Sequence, residues 1–258
     1  MKYIEYGSDN KDTLIFLHGG GLSWWNFREE AELLQQDFHV ILPILDGHAG
    51  SDRPFTTIED ASAELIRLID ERFGGSVLLI GGLSLGAQIL LETLSQKNDV
   101  CRIALVESAA VLPSKLTHAL VGSAVSGSYG LIRKRGFAQK QFNSLHIRQD
   151  LFEDYYRDTC RIRKEDMIAF MKANTAYSLK DEIKGCSAKV AVFYGEKENR
   201  EIRESAKAIR SALPDCRVSV VPDAYHGEFS LNRAKQYAGV VKKLIDRELT
   251  VLKEHEEN

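Results

Sequence analysis

The residue with the clearest chemical potential is a serine held between two glycines. Gly82-Leu83-Ser84-Leu85-Gly86 follows an apolar run at 77–80 and precedes a helix-compatible run at 87–94. The G-x-S-x-G pattern alone would occur by chance in roughly one chain in ten of this length. The prediction of a nucleophile therefore depends mainly on the strand–turn–helix context. A sharp turn lifts the hydroxyl clear of the sheet, and side chains at either glycine would clash with neighbouring backbone. The pattern predicts Ser84 as a nucleophile.

A glycine-rich loop could stabilise the negative charge that such a nucleophile creates. His18-Gly19-Gly20-Gly21 follows the apolar run 13–17, and glycine amides are unshielded. We expect the amide of Gly20, together with the amide of Leu85 at a helix N-terminus, to form an oxyanion hole. The phosphate-binding pattern G-x-x-x-x-G-K-[ST] is absent from this loop. His18, at a strand end, is predicted to be structural and to bind backbone.

A serine hydroxyl needs an adjacent base at neutral pH. Of the seven histidines, His226 lies in the loop 223–227 after the last apolar run, and loops at the carboxyl ends of parallel strands are where an open α/β sheet places its site. We therefore predict His226 as the base. The other six are His18 at a strand end, His39 in a strand-like run, His255 in the polar tail, His118 and His146 within residues 110–185, and His48.

The carboxylate that orients this histidine should follow the preceding strand. Glu198 lies just after the apolar run 189–194 and is the predicted acid; Glu196, and Glu107 at the end of the run 102–106, are alternatives. The order Ser84, Glu198, His226 is the one expected for a triad on this type of sheet.

These residues need a scaffold, and the chain alternates short apolar runs with amphipathic segments. Most runs are apolar on both faces, which is typical of parallel strands covered by helices on each side. The segment 57–73 and the C-terminal stretch from Tyr237 have helical periodicity. The sequence predicts an α/β fold with a mostly parallel sheet and right-handed crossovers. The predicted strands are 13–17, 38–42, 76–80, 102–106, 189–194 and 217–221.

One interval interrupts the alternation. Residues 110–185 contain helical patterns but no convincing strand, and a structureless loop of that length is implausible in a compact domain. We predict a core domain of residues 1–109 and 186–258 with an inserted helical cap, 110–185. The interval holds 13 Lys and Arg but 8 Asp and Glu, a net charge of +5, which leaves −8 on the rest of a chain whose total is −3. Within it, Arg133-Lys134-Arg135 is predicted as a solvated surface, with a preference for anionic substrates or surfaces as the minority interpretation.

Composition excludes several classes of protein. With 258 residues, 44% hydrophobic and 28% charged, the chain can form a core and is not disordered, and its charge does not suit general nucleic-acid binding. No run approaches the roughly 18 apolar residues of a membrane span, and the N-terminal segment lacks the apolar core of an export signal. Four cysteines without C-x-x-C spacing indicate small buried side chains in a reducing cytoplasm. No metal-binding pattern such as H-E-x-x-H is present, so we expect no metal and no cofactor.

Together these segments resemble the α/β-hydrolase superfamily over nearly the whole chain. The resemblance implies a serine hydrolase fold with a helical cap, and it implies that the turn within 46–54 is structural. Two positions differ from the usual pattern: Glu198 stands where aspartate is usual, and Tyr225 replaces the glycine before the histidine. Ser84 argues against relatives with an aspartate nucleophile, such as haloalkane dehalogenases and epoxide hydrolases. The segments on which the resemblance rests are His18-Gly19-Gly20-Gly21, Gly47-His48-Ala49-Gly50-Ser51, Gly82-Leu83-Ser84-Leu85-Gly86, Gly195-Glu196-Lys197-Glu198 and Tyr225-His226-Gly227.

The leading functional hypothesis is hydrolysis of a small or medium carboxylic ester through an acyl-enzyme on Ser84. Hydrolysis of a C–C bond, or acyl transfer, uses the same triad and remains an alternative, as does a ligand-binding sensor without catalysis. Six cap residues could line a pocket, although packing within the cap is the favoured interpretation of each: Phe152, Tyr155, Tyr156, Phe170, Met171 and Tyr177.

Overall fold

The computed structural model describes residues 1–213 and 215–256, with side chains described up to residue 250. Its centre is a seven-stranded sheet in the order β1-β3-β2-β4-β5-β6-β7. β1 pairs antiparallel with β3, and every other pairing is parallel. The strands are β1 Lys2–Tyr6, β2 Thr13–Leu17, β3 His39–Ile44, β4 Val77–Leu83, β5 Cys101–Glu107, β6 Lys189–Gly195 and β7 Arg217–Val221.

All six predicted strands are present, and the mostly parallel α/β architecture is confirmed. The additional strand, β1, lies at the edge of the sheet and is only partly buried. Lys2 and Glu5 interrupt the apolar residues of β1, so it lacks the continuous apolar run on which the strand predictions depend.

Ten α-helices accompany the strands in the described part of the chain. Predicted helix 57–73 is confirmed as α2, where the Thr57 hydroxyl accepts a hydrogen bond from the Asp60 amide at 3.0 Å and caps the N-terminus. The helices are α1 Arg28–Leu34, α2 Ile58–Arg72, α3 Leu85–Gln96, α4 Lys115–Ser128, α5 Arg135–Ser144, α6 Phe152–Thr159, α7 Lys164–Ala176, α8 Arg200–Ala212, α9 Glu228–Asn232 and α10 Ala234–Glu256. None of these helices is both long enough and apolar enough to cross a bilayer.

The sheet has an apolar core on each face, which explains why most positions of its central strands are apolar. Along β2, Ile15 and Leu17 belong to one buried cluster, whereas Leu14 and Phe16 belong to the other. Alternate residues of a strand point to opposite faces, so a strand covered on both sides has few positions for a polar side chain.

Between β5 and β6 the described residues form α4 to α7 and no strand, as the sequence predicts for this interval. Phe170 and Tyr177 pack into one core cluster, and Phe142 and Phe152 pack into the other. The interval therefore contributes to the cores on both faces of the sheet. Its division from the rest as a separate cap domain stays a prediction.

Packing within the interval is confirmed for Phe152 and Tyr155, whose rings contact Phe142, whereas Phe170 packs outside the interval on His48 and Phe55. Phe152, Tyr155, Phe170 and Tyr177 are buried, whereas Tyr156 is partly buried and Met171 is exposed. The cysteines are all free; Cys101 and Cys216 are buried, and the other two are partly buried.

The turn between β4 and α3 depends on two glycines, as predicted. A Cβ on Gly82 would lie 2.5 Å from the Gly86 carbonyl oxygen, and a Cβ on Gly86 would lie 2.2 Å from the carbonyl oxygen of Leu17. Both contacts are with backbone, which cannot move aside as a flexible side chain does.

We expect Gly86→Ala to lower the free energy of unfolding by more than about 2 kcal/mol, because α3 must move away from β2. Gly239→Ala in α10 is the matched control, since its Cβ would meet no atom within 4 Å and alanine is the better helix former by about 1 kcal/mol. Urea denaturation of both variants measures the difference. Equal effects of the two substitutions would show that the close approach of α3 to β2 is unimportant.

Candidate active site

Ser84 lies at the point where β4 turns into α3. Its backbone has φ 52° and ψ −110°, a conformation that costs a residue with a side chain about 1–3 kcal/mol. Its amide donates a hydrogen bond of 2.9 Å to the carbonyl oxygen of Glu107 in the neighbouring strand β5. The turn is therefore tied to the sheet, and the strained residue is the predicted nucleophile.

The glycine loop after β2 has one free amide in the described structure. The Gly19 amide donates to Asn26 Oδ1 at 3.2 Å, and the Gly21 amide donates to His48 Nε2 at 3.0 Å. The amide of Gly20 between them has no acceptor among the described residues, and neither does that of Leu85, the first residue of α3. These are the two predicted oxyanion donors.

Two buried histidines hold this loop in place. His18 accepts a hydrogen bond from the Leu45 amide at Nε2 (3.1 Å) and donates from Nδ1 to the Gly19 carbonyl at 2.9 Å, so its predicted structural role is confirmed. His48 donates from Nδ1 to the carbonyl oxygen of Asp46 at 3.0 Å. Each ring thus has one donor and one acceptor, which is the pattern of a neutral imidazole.

Burial keeps both rings neutral. It lowers the pKa of His18 well below its usual value, and the neighbouring His48 adds to that effect. Burial likewise lowers the pKa of His48 to about 4. At neutral pH the unprotonated Nε2 of His48 can therefore accept from Gly21, and the ring is further fixed by stacking on Phe170 with ring centroids 4.5 Å apart.

His226 and Glu198, the predicted base and acid, are joined by a hydrogen bond. Nδ1 of His226 lies 2.8 Å from Glu198 Oε2. The other oxygen, Oε1, accepts from the Ser108 hydroxyl at 2.5 Å and from the Gly195 amide at 3.0 Å. Burial raises the pKa of Glu198, but the His226, Ser108 and Gly195 hydrogen bonds outweigh it and hold the pKa below its usual value. Glu198 is therefore ionised at neutral pH.

The two alternative acids bind elsewhere. Glu196 is exposed, and its Oε2 accepts from the Asp223 amide at 3.0 Å. Glu107 is buried and accepts from the Ser230 amide at 3.2 Å. Burial raises the pKa of Glu107 to about 7. Among the described residues neither carboxylate has a hydrogen bond to His226, whereas Glu198 does.

Ser84, His226 and Gly20 line one cavity of about 340 Å³. The cavity wall continues through residues 144–147 of the interval between β5 and β6 and through Tyr225. The His226 side chain is half-exposed, and within the described chain its ring and the Ser84 hydroxyl form no hydrogen bond to each other. None of the six candidate cap residues lines this cavity.

Several residues that build the site were not singled out from the sequence. Ser108 has a positive φ of 56° directly after β5 and supports Glu198; a polar residue immediately after a buried strand was the available signal. Asn26 binds the Gly19 amide 7 residues away, and His48 binds the Gly21 amide across 27 residues; neither side-chain pairing was predicted from the sequence. In the described chain no group of three His, Cys, Asp or Glu residues is arranged to hold a metal ion.

The chain belongs to the alpha/beta hydrolase family, whose model matches residues 14–240. It is 21% identical to Lipase 3 of Moraxella sp. (strain TA144), in a match that covers 88% of this chain and 75% of that protein. Among solved structures, an esterase from Exiguobacterium antarcticum has a TM-score of 0.80 at 16% identity, covering 95% of this chain and 94% of the other. The enol-lactonase from Burkholderia xenovorans LB400 has a TM-score of 0.78 at 17% identity, covering 95% and 96%. At these identities the structural likeness shows the fold.

The electrostatics of the His226–Glu198 pair predict a particular pH dependence. Desolvation lowers the pKa of His226, but the hydrogen bond and charge of Glu198, with a contribution from Glu107, outweigh it and raise the pKa above its usual value. A histidine base works only when neutral, so activity should fall as the pH falls through this raised pKa.

Glu198→Gln should therefore move the acid limb of the kcat/KM profile to lower pH while reducing its plateau. Glu196→Gln removes the same charge from a carboxylate that does not contact the ring, and it is expected to leave the limb in place. Steady-state rates measured across the acid range for both variants test this assignment. A limb that shifts with Glu196 and not with Glu198 would contradict it.

Proposed function

We propose that the protein is a serine hydrolase of carboxylic esters with Ser84 as nucleophile, His226 as base and Glu198 as orienting acid. The observation that carries the proposal is the hydrogen-bonded Glu198–His226 pair opening on the same cavity as the strained Ser84. A serine on a strand–helix turn beside a carboxylate-oriented imidazole is the arrangement that activates a hydroxyl for attack on a carbonyl.

In the proposed reaction, the Ser84 hydroxyl attacks the ester carbonyl while Nε2 of His226 takes its proton. The charge that develops on the imidazolium is stabilised by Glu198. Since the apo hydrogen bonds of a catalytic serine are often long or absent, we propose that the Ser84–His226 bond forms when a substrate occupies the cavity. His226 then delivers the proton to the departing alcohol.

The carbonyl oxygen becomes negative in the tetrahedral intermediate. The amides of Gly20 and Leu85 have no other acceptor in the described chain, and we propose that they receive this charge. Donors fixed in advance need no reorganisation during the reaction, and each contributes roughly 3–4 kcal/mol in comparable sites. Water activated by His226 then hydrolyses the acyl-enzyme and restores Ser84.

Residues 110–185 are proposed to act as a cap over this cavity, on the evidence that 144–147 form part of its wall. We propose a small-molecule acyl substrate, in keeping with the esterase, lipase and enol-lactonase relatives. The proposed reaction uses no metal and no cofactor. The free cysteines support a cytoplasmic location.

Replacing Ser84 by alanine should lower turnover of p-nitrophenyl acetate at least about a thousandfold, because the nucleophile is lost. Ser211→Ala on the exposed face of α8 serves as the control and should retain the wild-type rate. A fluorophosphonate probe, followed by peptide mass spectrometry, should label Ser84 in the wild-type protein. Folded protein that turns over no ester and takes no label would instead favour a ligand-binding sensor.

The support that His48 gives to the Gly21 amide can be tested separately. His48→Ala should reduce kcat about tenfold with little change in KM, because the loop that holds the oxyanion donor loses its anchor and the loss appears in the transition state. His48→Gln keeps a side-chain acceptor and should recover part of kcat. Loss of thermal stability in both variants with kcat unchanged would assign His48 to packing alone.

A further inference from the structure

The segment 108–149 has an unusual charge pattern. It contains no Asp or Glu, although it spans α4 and α5 and their flanking loops; we call it the acid-free segment. Two of its cations, Arg135 and Arg148, form ion pairs with Glu153 and Glu29. The remaining four have no carboxylate within ion-pair distance in the described chain: Lys115, Arg133, Lys134 and Lys140.

Exposed apolar side chains are concentrated in the same segment. Of the eight large apolar side chains that are exposed in the described chain, five lie in it: Leu112, Leu116, Leu120, Leu131 and Leu145. A sixth, Met171, is on α7, which packs against α4. Isolated exposed leucines are ordinary, whereas five within one segment, two of them on α4 and three in the flanking loops, indicate a surface that binds something.

Two of these leucines are the most exposed large apolar side chains in the described chain. Leu116 and Leu120 are 74% and 55% exposed, and their spacing of four residues places them on one face of α4. The buried residues of α4, Val121 and Val125, lie roughly 140° further around the helix. The main cavities of the described structure are not lined by either leucine.

We propose that the acid-free segment docks the protein on an anionic lipid surface, with the leucines of α4 inserted among the lipids and the free cations facing the headgroups. Apolar residues flanked by unpaired Lys and Arg are the features that interfacial helices use. A deformable bilayer accommodates projecting leucine side chains, whereas a folded partner protein would need a matching groove.

Charge complementarity favours lipid over a second copy of the chain. Residues 110–185 carry +5, so two such faces would repel each other, and the remainder carries −8, so an anionic surface would turn it away. Leu145, another exposed leucine of the acid-free segment, also lines the Ser84 cavity. The inference rests on the acid-free segment and not on the reaction at Ser84.

Co-sedimentation of the full chain with vesicles tests the proposal. We expect binding to vesicles of phosphatidylcholine mixed with phosphatidylglycerol and little binding to phosphatidylcholine alone. Binding should weaken as NaCl shortens the Debye length from about 10 Å to about 3 Å. Equal binding to both vesicle types, or none to either, would overturn the proposal.

Two pairs of variants separate the contributions. Leu116→Ser with Leu120→Ser should lower the vesicle partition coefficient at least about tenfold, and Lys134→Gln with Lys140→Gln should lower it by a similar factor. Val220→Ser is the apolar control, since Val220 is 48% exposed on β7. Lys11→Gln with Lys189→Gln is the charge control on the acidic part of the chain.

The thermal unfolding midpoint of each variant establishes that it is folded, without reference to esterase activity. If the leucine variant retained vesicle binding and the lysine variant lost it, the surface would be a plain polyanion site and insertion would be wrong. If light scattering showed a wild-type dimer that the leucine variant dissociates, with no vesicle binding by either protein, a second copy would be the occupant and the proposal would fail.

Discussion

The contact on which the rest of the structure depends is the close approach of α3 to the end of β2. A Cβ on Gly86 would lie 2.2 Å from the carbonyl oxygen of Leu17, so the helix can occupy its place only because position 86 has no side chain. This approach brings the N-terminus of α3 beside the loop that begins at His18. It also forces the backbone at Ser84 into its strained conformation, since β4 must turn into α3 within a few residues. One steric constraint thus positions a hydroxyl and two free amides together.

Electrostatics determine which of the buried titratable groups can act. Glu198 and Glu107 are both buried, yet they are in opposite situations. Three hydrogen-bond donors keep Glu198 ionised, whereas the hydrogen bonds from Ser230 to Glu107 do not offset its burial, which raises its pKa to about 7. His18 and His48 remain neutral because burial disfavours a protonated ring, and the charge of Asp166 near His48 does not outweigh that effect. Of the histidines near the glycine loop and Ser84, His226 is the one whose pKa is raised by a carboxylate.

The distribution of charge along the chain connects the catalytic proposal with the docking proposal. The +5 of residues 110–185 and the −8 of the remainder make the molecule strongly asymmetric although its total charge is only −3. A field of this kind orients a protein relative to a charged surface. The loop 144–147 lies in the acid-free segment and also lines the cavity of Ser84, so the two proposed surfaces adjoin.

Local sequence was sufficient for the sheet strands that are buried on both faces, for the turn at Ser84 and for the order of the candidate triad. Each of these features depends on residues close together in the chain: an apolar run for a covered strand, and paired glycines for a turn with no space for a Cβ. The edge strand β1 was missed because Lys2 and Glu5 interrupt its apolar residues, whereas the other edge strand, β7, has an apolar run that was recognised.

Only the tertiary structure decided which carboxylate pairs with His226 and which amide of the glycine loop is free. Glu196, Glu198 and Glu107 all follow strands, and nothing in their local sequence shows that only the second is bound to the imidazole. Likewise, Gly19 and Gly21 are occupied by Asn26 and by His48, which lies 27 residues away from Gly21. Such pairings are set by how the loops and strands pack in three dimensions, because a hydrogen bond depends on distances of a few tenths of an ångström that residue order does not encode.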